Sequence, residues 1–129
     1  MAVLMSLRYL GQADRDVYLY DTFEGMPLPE DVDVYSSGRS AMEDYTSYQR
    51  HDGSSGWVRS PIEDVKSNIS SLGEINSRLY FVKGLVEDTI PETAPDTIAL
   101  LRLDTDFYRS TKHELIHLFP KLQKVALFS

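Results

Sequence analysis

The chain has 129 residues, 42% of them hydrophobic, enough for one domain with its own core. It contains no cysteine, which excludes disulfides, thiolate zinc sites and thiol nucleophiles and suits a reducing compartment. Thirteen basic against 20 acidic residues give a net charge of −7, which argues against a nucleic-acid partner, because a phosphate backbone needs a basic footprint.

Residues 1–10 read as a helix tail, with Val3, Leu7 and Leu10 at helical spacing and Gly11 as a stop. No basic region precedes the apolar residues of this stretch, so it reads poorly as a signal peptide. No apolar run reaches the length of a membrane span. The expectation is a cytoplasmic protein with no membrane partner.

Val17-Tyr18-Leu19-Tyr20, ending at Asp21, predicts a short buried strand. Residues 22–56 are polar and punctuated by Gly25, Pro27, Pro29, Gly38, Gly53 and Gly56. Connections of that length in a compact domain are usually lids or disordered segments. Ser60-Pro61-Ile62-Glu63 predicts a helix start: Ser60 as cap, Pro61 in the first helical position, Glu63 completing a capping box. Ile62, Val65, Ile69 and Leu72 supply its apolar face, and Gly73 ends it.

Leu79-Tyr80-Phe81-Val82 predicts a second strand, and the nearly continuous apolar run of residues 97–103 predicts a third. Ser110 is expected to cap a last helix with a stripe of Leu115, Leu118, Phe119 and Leu122. Val125-Ala126-Leu127-Phe128 is expected to open a fourth strand. Alternating strands and helices imply an α/β fold, a parallel sheet covered on both faces. No repeat, low-complexity tract or linker divides the chain.

Two predicted strands run into an aspartate, Asp21 and Asp104. In open parallel sheets, ligands bind beyond the carboxyl ends of the strands. A carboxylate after an early strand suits the two hydroxyls of a ribose. Asp104, with Asp106 two residues on, offers hard oxygen ligands for Mg²⁺. The plainer alternative is that aspartate ends strands and opens turns. The seven glycines form no G-x-G-x-x-G or Walker pattern.

His113-Glu114-Leu115-Ile116-His117 matches the H-E-x-x-H of zinc peptidases. A catalytic zinc needs a third protein ligand, and none follows His117. Both histidines lie opposite the predicted apolar stripe, so a solvated outer face is the expected reading. Tyr45, Tyr48 and Trp57 would either line an acceptor pocket or anchor the long polar segment by burial.

Three motifs together resemble the macrocin O-methyltransferase family, S-adenosylmethionine-dependent enzymes that methylate sugar hydroxyls of macrolides. Val17-Tyr18-Leu19-Tyr20-Asp21-Thr22-Phe23-Glu24-Gly25-Met26-Pro27 resembles the family's second-strand segment. Phe81-Val82-Lys83-Gly84, with Glu87-Asp88-Thr89-Ile90-Pro91, resembles its third. Leu101-Arg102-Leu103-Asp104-Thr105-Asp106-Phe107-Tyr108-Arg109-Ser110-Thr111-Lys112 resembles its fourth, and Trp57 ahead of a helix near Pro61 also fits.

The resemblance implies a partial Rossmann-like methyltransferase fold over residues 1–129, lacking the first strand and the C-terminal strands. It implies S-adenosylmethionine as donor, Mg²⁺ as cofactor and a sugar or glycoside hydroxyl as acceptor. Asp21 would then bind the donor ribose, and residues 84–88, with Gly84, Glu87 and Asp88, would lie near its adenine. Asp104 would be the metal ligand at the acceptor hydroxyl, with Asp106 beside it, and residues 36–57 would belong to the acceptor lid. The family's glycine-rich turn and the Asp-Asp pair that completes its metal site are missing from this sequence. The chain is therefore expected not to turn over alone. A non-catalytic remnant is the alternative, and a homo-oligomer is compatible with either.

Overall fold

A computed structural model describes residues 2–52, 55–73 and 78–123. Two parallel strands organise it: β1 (Val17–Asp21) and β2 (Leu79–Lys83), paired from Val17 opposite Leu79 to Asp21 opposite Lys83. Both strands are thus in register at their carboxyl ends, and the Gly84 N–H continues the pairing onto the Asp21 carbonyl at 3.0 Å.

Side chains alternate across this pair. Leu19 and Phe81 share one face with Asp21. There α3 (Ile62–Ser70) covers the sheet, with the Lys66 ammonium 5.8 Å from the Phe81 ring centroid. The helix α1 (Ala2–Tyr9) joins α3 through an Arg8 bond to the Leu72 carbonyl at 3.2 Å. Tyr18, Tyr20 and Tyr80 share the other face, where Tyr18 and Tyr80 stack at 4.6 Å. Tyr20 packs on a core of Val86, Ile90 and Leu118, which Ala94, Ile98, Leu101 and Leu103 complete. Two further helices bring in part of that core, α4 (Val86–Thr89) and α5 (Tyr108–His117). The fold is α/β with helices on both faces of a small parallel sheet, as the alternation of elements predicts.

Several local expectations are corrected. The strand at Val17–Asp21 is half-buried rather than buried, since its pair has open edges among the described residues. Residues 97–103 supply core side chains, yet among the described residues they make no strand. Among the described residues their pairing is a parallel bridge, in which the Ile98 N–H bonds the Lys121 carbonyl at 2.9 Å and the Ile98 carbonyl accepts from Gln123 at 2.8 Å. Apolar character alone drives burial; a ladder also needs a partner backbone. The expected strand at 125–128 lies outside the described residues.

The caps differ as well. Pro61 has an extended backbone, φ −53° and ψ 140°, so α3 starts after it and Ser60 falls outside the cap position. Glu63 pairs with Lys66 at 3.1 Å instead of closing a capping box. Ser110 sits inside the first turn of α5, whose cap position is Phe107. The predicted stripe of α5 holds only in part: Leu118 is buried, but Leu115 and Phe119 are 46% and 60% exposed, and Ser110 and Glu114 are buried instead. Polar residues can take the inner face because each finds a partner there.

Candidate functional site

The site is built where β1 and β2 end together. Asp21 is exposed, and its Oδ1 accepts the Phe23 N–H at 2.7 Å and the Thr22 hydroxyl at 3.4 Å. Phe23 itself is buried with φ +56°, a sparsely populated conformation for a residue with a side chain. That turn fixes the carboxylate at the strand end. Among the described residues nothing bonds its Oδ2, which leaves acceptor capacity for an incoming hydroxyl.

The next turn is held by glycine. Gly25 has φ +101°, and a Cβ there would stand 2.5 Å from the Ser55 carbonyl oxygen and 3.0 Å from that of Trp57. Only glycine allows this approach. The Met26 N–H bonds the Trp57 carbonyl at 3.0 Å, so the far end of the long polar segment returns to the strand end. Beside it Glu24 pairs with Lys83 at 2.5 Å, which holds the Glu24 carboxyl below its ordinary value.

Gly84 follows β2 with φ +143°, and a Cβ on it would meet Thr89 at 3.0 Å. It lies beside Asp21, whose carbonyl its N–H bonds at 3.0 Å. Asp88 is exposed on the short helix α4. Glu87 turns toward α5: its side chain is only 12% exposed, and its Oε1 accepts the Ser110 hydroxyl at 2.9 Å. Its Oε2 is buried with no hydrogen bond among the described residues.

Asp104 and Asp106 precede α5, and neither follows a strand, which corrects that expectation. Asp104 is exposed and pairs with Arg102 at 2.7 Å. No group of three or more His, Asp or Glu side chains among the described residues is arranged to hold a metal. The donor set present therefore does not fit a Mg²⁺ site, which demands near-octahedral oxygen geometry.

The histidines of the H-E-x-x-H pattern are not on a solvated outer face, another correction. Both are half-buried, their rings 4.4 Å apart, and His113 Nε2 lies 2.8 Å from the Ile90 carbonyl oxygen. Glu114 points inward and accepts the Thr105 hydroxyl at 2.7 Å. Burial raises its carboxyl pKa, and nearby Glu87 adds to the shift. The pattern belongs to the packing between α4, α5 and residues 97–105.

Of Tyr45, Tyr48 and Trp57, Trp57 is half-buried against Phe107, with centroids 6.2 Å apart. Tyr48 is exposed and Tyr45 half-buried. Sequence reasoning missed Asp33, a buried carboxylate in this segment whose Oδ1 accepts the Tyr108 N–H at 2.9 Å. Nothing local in Glu30-Asp31-Val32-Asp33 separates it from its acidic neighbours. No helix among the described residues is long and apolar enough to cross a membrane.

Comparison with known proteins places this geometry. A family model described as Macrocin-O-methyltransferase (TylF) matches residues 1–127. The chain is 31% identical over 116 residues to 8-demethyl-8-(2,3-dimethoxy-alpha-L-rhamnosyl)-tetracenomycin-C 4'-O-methyltransferase of Streptomyces olivaceus, covering 90% of this chain and 41% of that protein. It is 30% identical to demethyldecarbamoylnovobiocin O-methyltransferase of Streptomyces niveus, over 84% of this chain and 38% of that one. The solved structure of the O-methyltransferase NovP superposes with a TM-score of 0.67 at 29% identity, over 90% of this chain and 44% of NovP. The chain spans about two-fifths of the length of the curated relatives it matches. With residues 1–127 matched, the chain belongs to the macrocin O-methyltransferase (TylF) family.

Proposed function

We propose that this chain is the donor-side part of an S-adenosylmethionine-dependent O-methyltransferase that acts on a sugar hydroxyl in antibiotic biosynthesis. The observation that carries the reading is Asp21: an exposed carboxylate at a parallel strand's end, with one oxygen fixed by its own turn and the other open. That arrangement suits the vicinal hydroxyls of a ribose. Gly84 lies next to it, its N–H on the Asp21 carbonyl, and is assigned to the same wall. Asp88 stands exposed on the same side of the chain order and is assigned to the adenine end; Glu87 shapes that wall through its bond to Ser110.

The bound donor supplies an electrophilic methyl group for transfer to a hydroxyl. The residues of this chain bind and orient it. Residues 36–57 are assigned to the acceptor side, with Trp57 as its anchor on Phe107. The resemblance also implies Mg²⁺ at Asp104, with Asp106 beside it, and a cytoplasmic setting. The described residues do not assemble a metal site by themselves.

The test is a chimaera in which residues 1–127 replace the matching segment of a relative. Methyl label should pass from S-adenosylmethionine to a deoxysugar hydroxyl in the chimaera and not with this chain alone. Turnover by the isolated chain would contradict the division of labour, and a folded chimaera without donor binding would contradict the methyltransferase reading.

A further inference from the structure

Asp33 is buried, and its carboxylate bonds in two directions. Oδ2 accepts the Glu30 N–H at 2.8 Å, within its own turn. Oδ1 accepts the N–H of Tyr108, 75 residues away, at 2.9 Å. Tyr108 is the first residue of α5, and the cap residue Phe107 has no side-chain acceptor to offer. A carboxylate from a distant loop thus takes the place of a local cap, where the helix dipole favours negative charge.

The segment that carries Asp33 is closed on itself. The Ala41 N–H bonds the Asp33 carbonyl at 2.9 Å, and Ser40 caps α2 (Ala41–Ser47) by accepting the Met42 N–H. Arg39 grips Asp44 with two bonds of 2.6 and 2.8 Å, and the Tyr35 hydroxyl bonds the same carboxylate. Glu30 reaches Arg109 at 3.5 Å, a second link to α5.

We propose that Asp33 latches residues 30–48 onto the N-terminus of α5, so that this segment and residues 104–109 move as one body. Asp33 is a positioning residue: it acts through Tyr108 and touches no ligand. Its importance for an acceptor rests on assigning residues 36–57 to the acceptor side; the latch itself does not.

Hydrogen exchange on the isolated chain tests it with no donor or acceptor present, so its failure is separate from failure of the methyltransferase reading. Asp33→Ala removes the acceptor. Tyr108→Pro removes the donor N–H together with an exposed ring that faces Lys112. The helix start should survive it, because proline is tolerated at a first helical position and Phe107 already has the extended backbone, φ −94° and ψ 142°, that precedes a proline. Tyr108→Ala, which loses the ring and keeps the N–H, is the control and should leave exchange at 30–41 unchanged. Asp33→Ala and Tyr108→Pro should each speed exchange across residues 30–41 by about tenfold or more, the loss expected for one charge-assisted bond. Asp33→Asn keeps one acceptor oxygen for two N–H donors and should restore only part of the protection. Amides of β1 and β2 should not change. Unchanged exchange at 30–41 in Tyr108→Pro would overturn the latch, and so would an equal acceleration through both strands.

Discussion

Gly25→Ala tests whether the turn after β1 needs the close approach described above. A side chain at φ +101° costs about 1–2 kcal/mol in backbone strain. The new Cβ would also stand 2.5 Å from the Ser55 carbonyl oxygen, a backbone atom that cannot rotate away. Relieving that overlap separates residues 25–26 from residues 55–57 and breaks the 3.0 Å bond from Met26 to Trp57, worth about 1 kcal/mol. The expected loss is about 2–4 kcal/mol. Urea unfolding followed by the fluorescence of Trp57, the single tryptophan, should show a midpoint lower by roughly 1–3 M. Gly38→Ala is the control: φ there is +82°, but a Cβ would meet nothing within 4 Å, so strain alone remains. If Gly25→Ala costs no more than Gly38→Ala, the close approach is not what selects glycine.

Further outcomes follow from the carboxylates and histidines. His113→Ala should cost about 1–2 kcal/mol in a thermal melt, because it leaves the Ile90 carbonyl without its partner, while His117→Ala should cost less; equal and negligible effects would restore the surface reading of both. The Glu114 carboxyl is raised by burial, so the folded chain holds its proton more tightly than the unfolded chain. Its contribution is full below the ordinary value of 4.5 and is lost as pH rises through the raised value; Glu114→Gln should therefore gain stability over the wild type towards neutral pH. Asp44 runs the other way. Its bonds to Arg39 and Tyr35 lower it from 3.8 to about 2, so its contribution is present above 3.8 and lost as pH falls towards 2. Asp44→Asn should flatten the acid limb of a denaturation curve, and an unaltered acid limb would contradict the assignment.

The parts of the molecule legible in its sequence are those where local pattern and tertiary demand agree. Val17-Tyr18-Leu19-Tyr20 and Leu79-Tyr80-Phe81-Val82 are β-prone, short and bounded by polar residues, and both form strands. The helix α3 stops close to where Gly73 predicts, at Ser70 with Ser71 as its cap, and Gly73 turns the chain away with φ +85°. The aspartate at the end of β1 stands where an open parallel sheet presents its ligand edge. The failures share one cause. Residues 97–103 are apolar enough for a strand, but a strand is a pairing and no pattern within the run reports its partner. The leucines of α5 point to an inner face that Leu118 does fill, but Ser110, Thr111 and Glu114 turn the same way because Glu87 and Thr105 meet them there. Asp33 was invisible for the same reason: its partner is an N–H that lies 75 residues away.

The central claim is that Asp21 holds a ribose at the end of β1. The direct measurement is a titration of the chain with S-adenosylmethionine followed by two-dimensional NMR, which reads weak affinities, on the wild type and Asp21→Ala. Shifts should cluster at the amides of residues 21–25 and 84–88, and Asp21→Ala should weaken binding by roughly ten- to a hundredfold, the 1.5–3 kcal/mol of hydrogen bonds to a charged group. Equal affinity in the two proteins, or shifts that spare the ends of β1 and β2, would contradict the account.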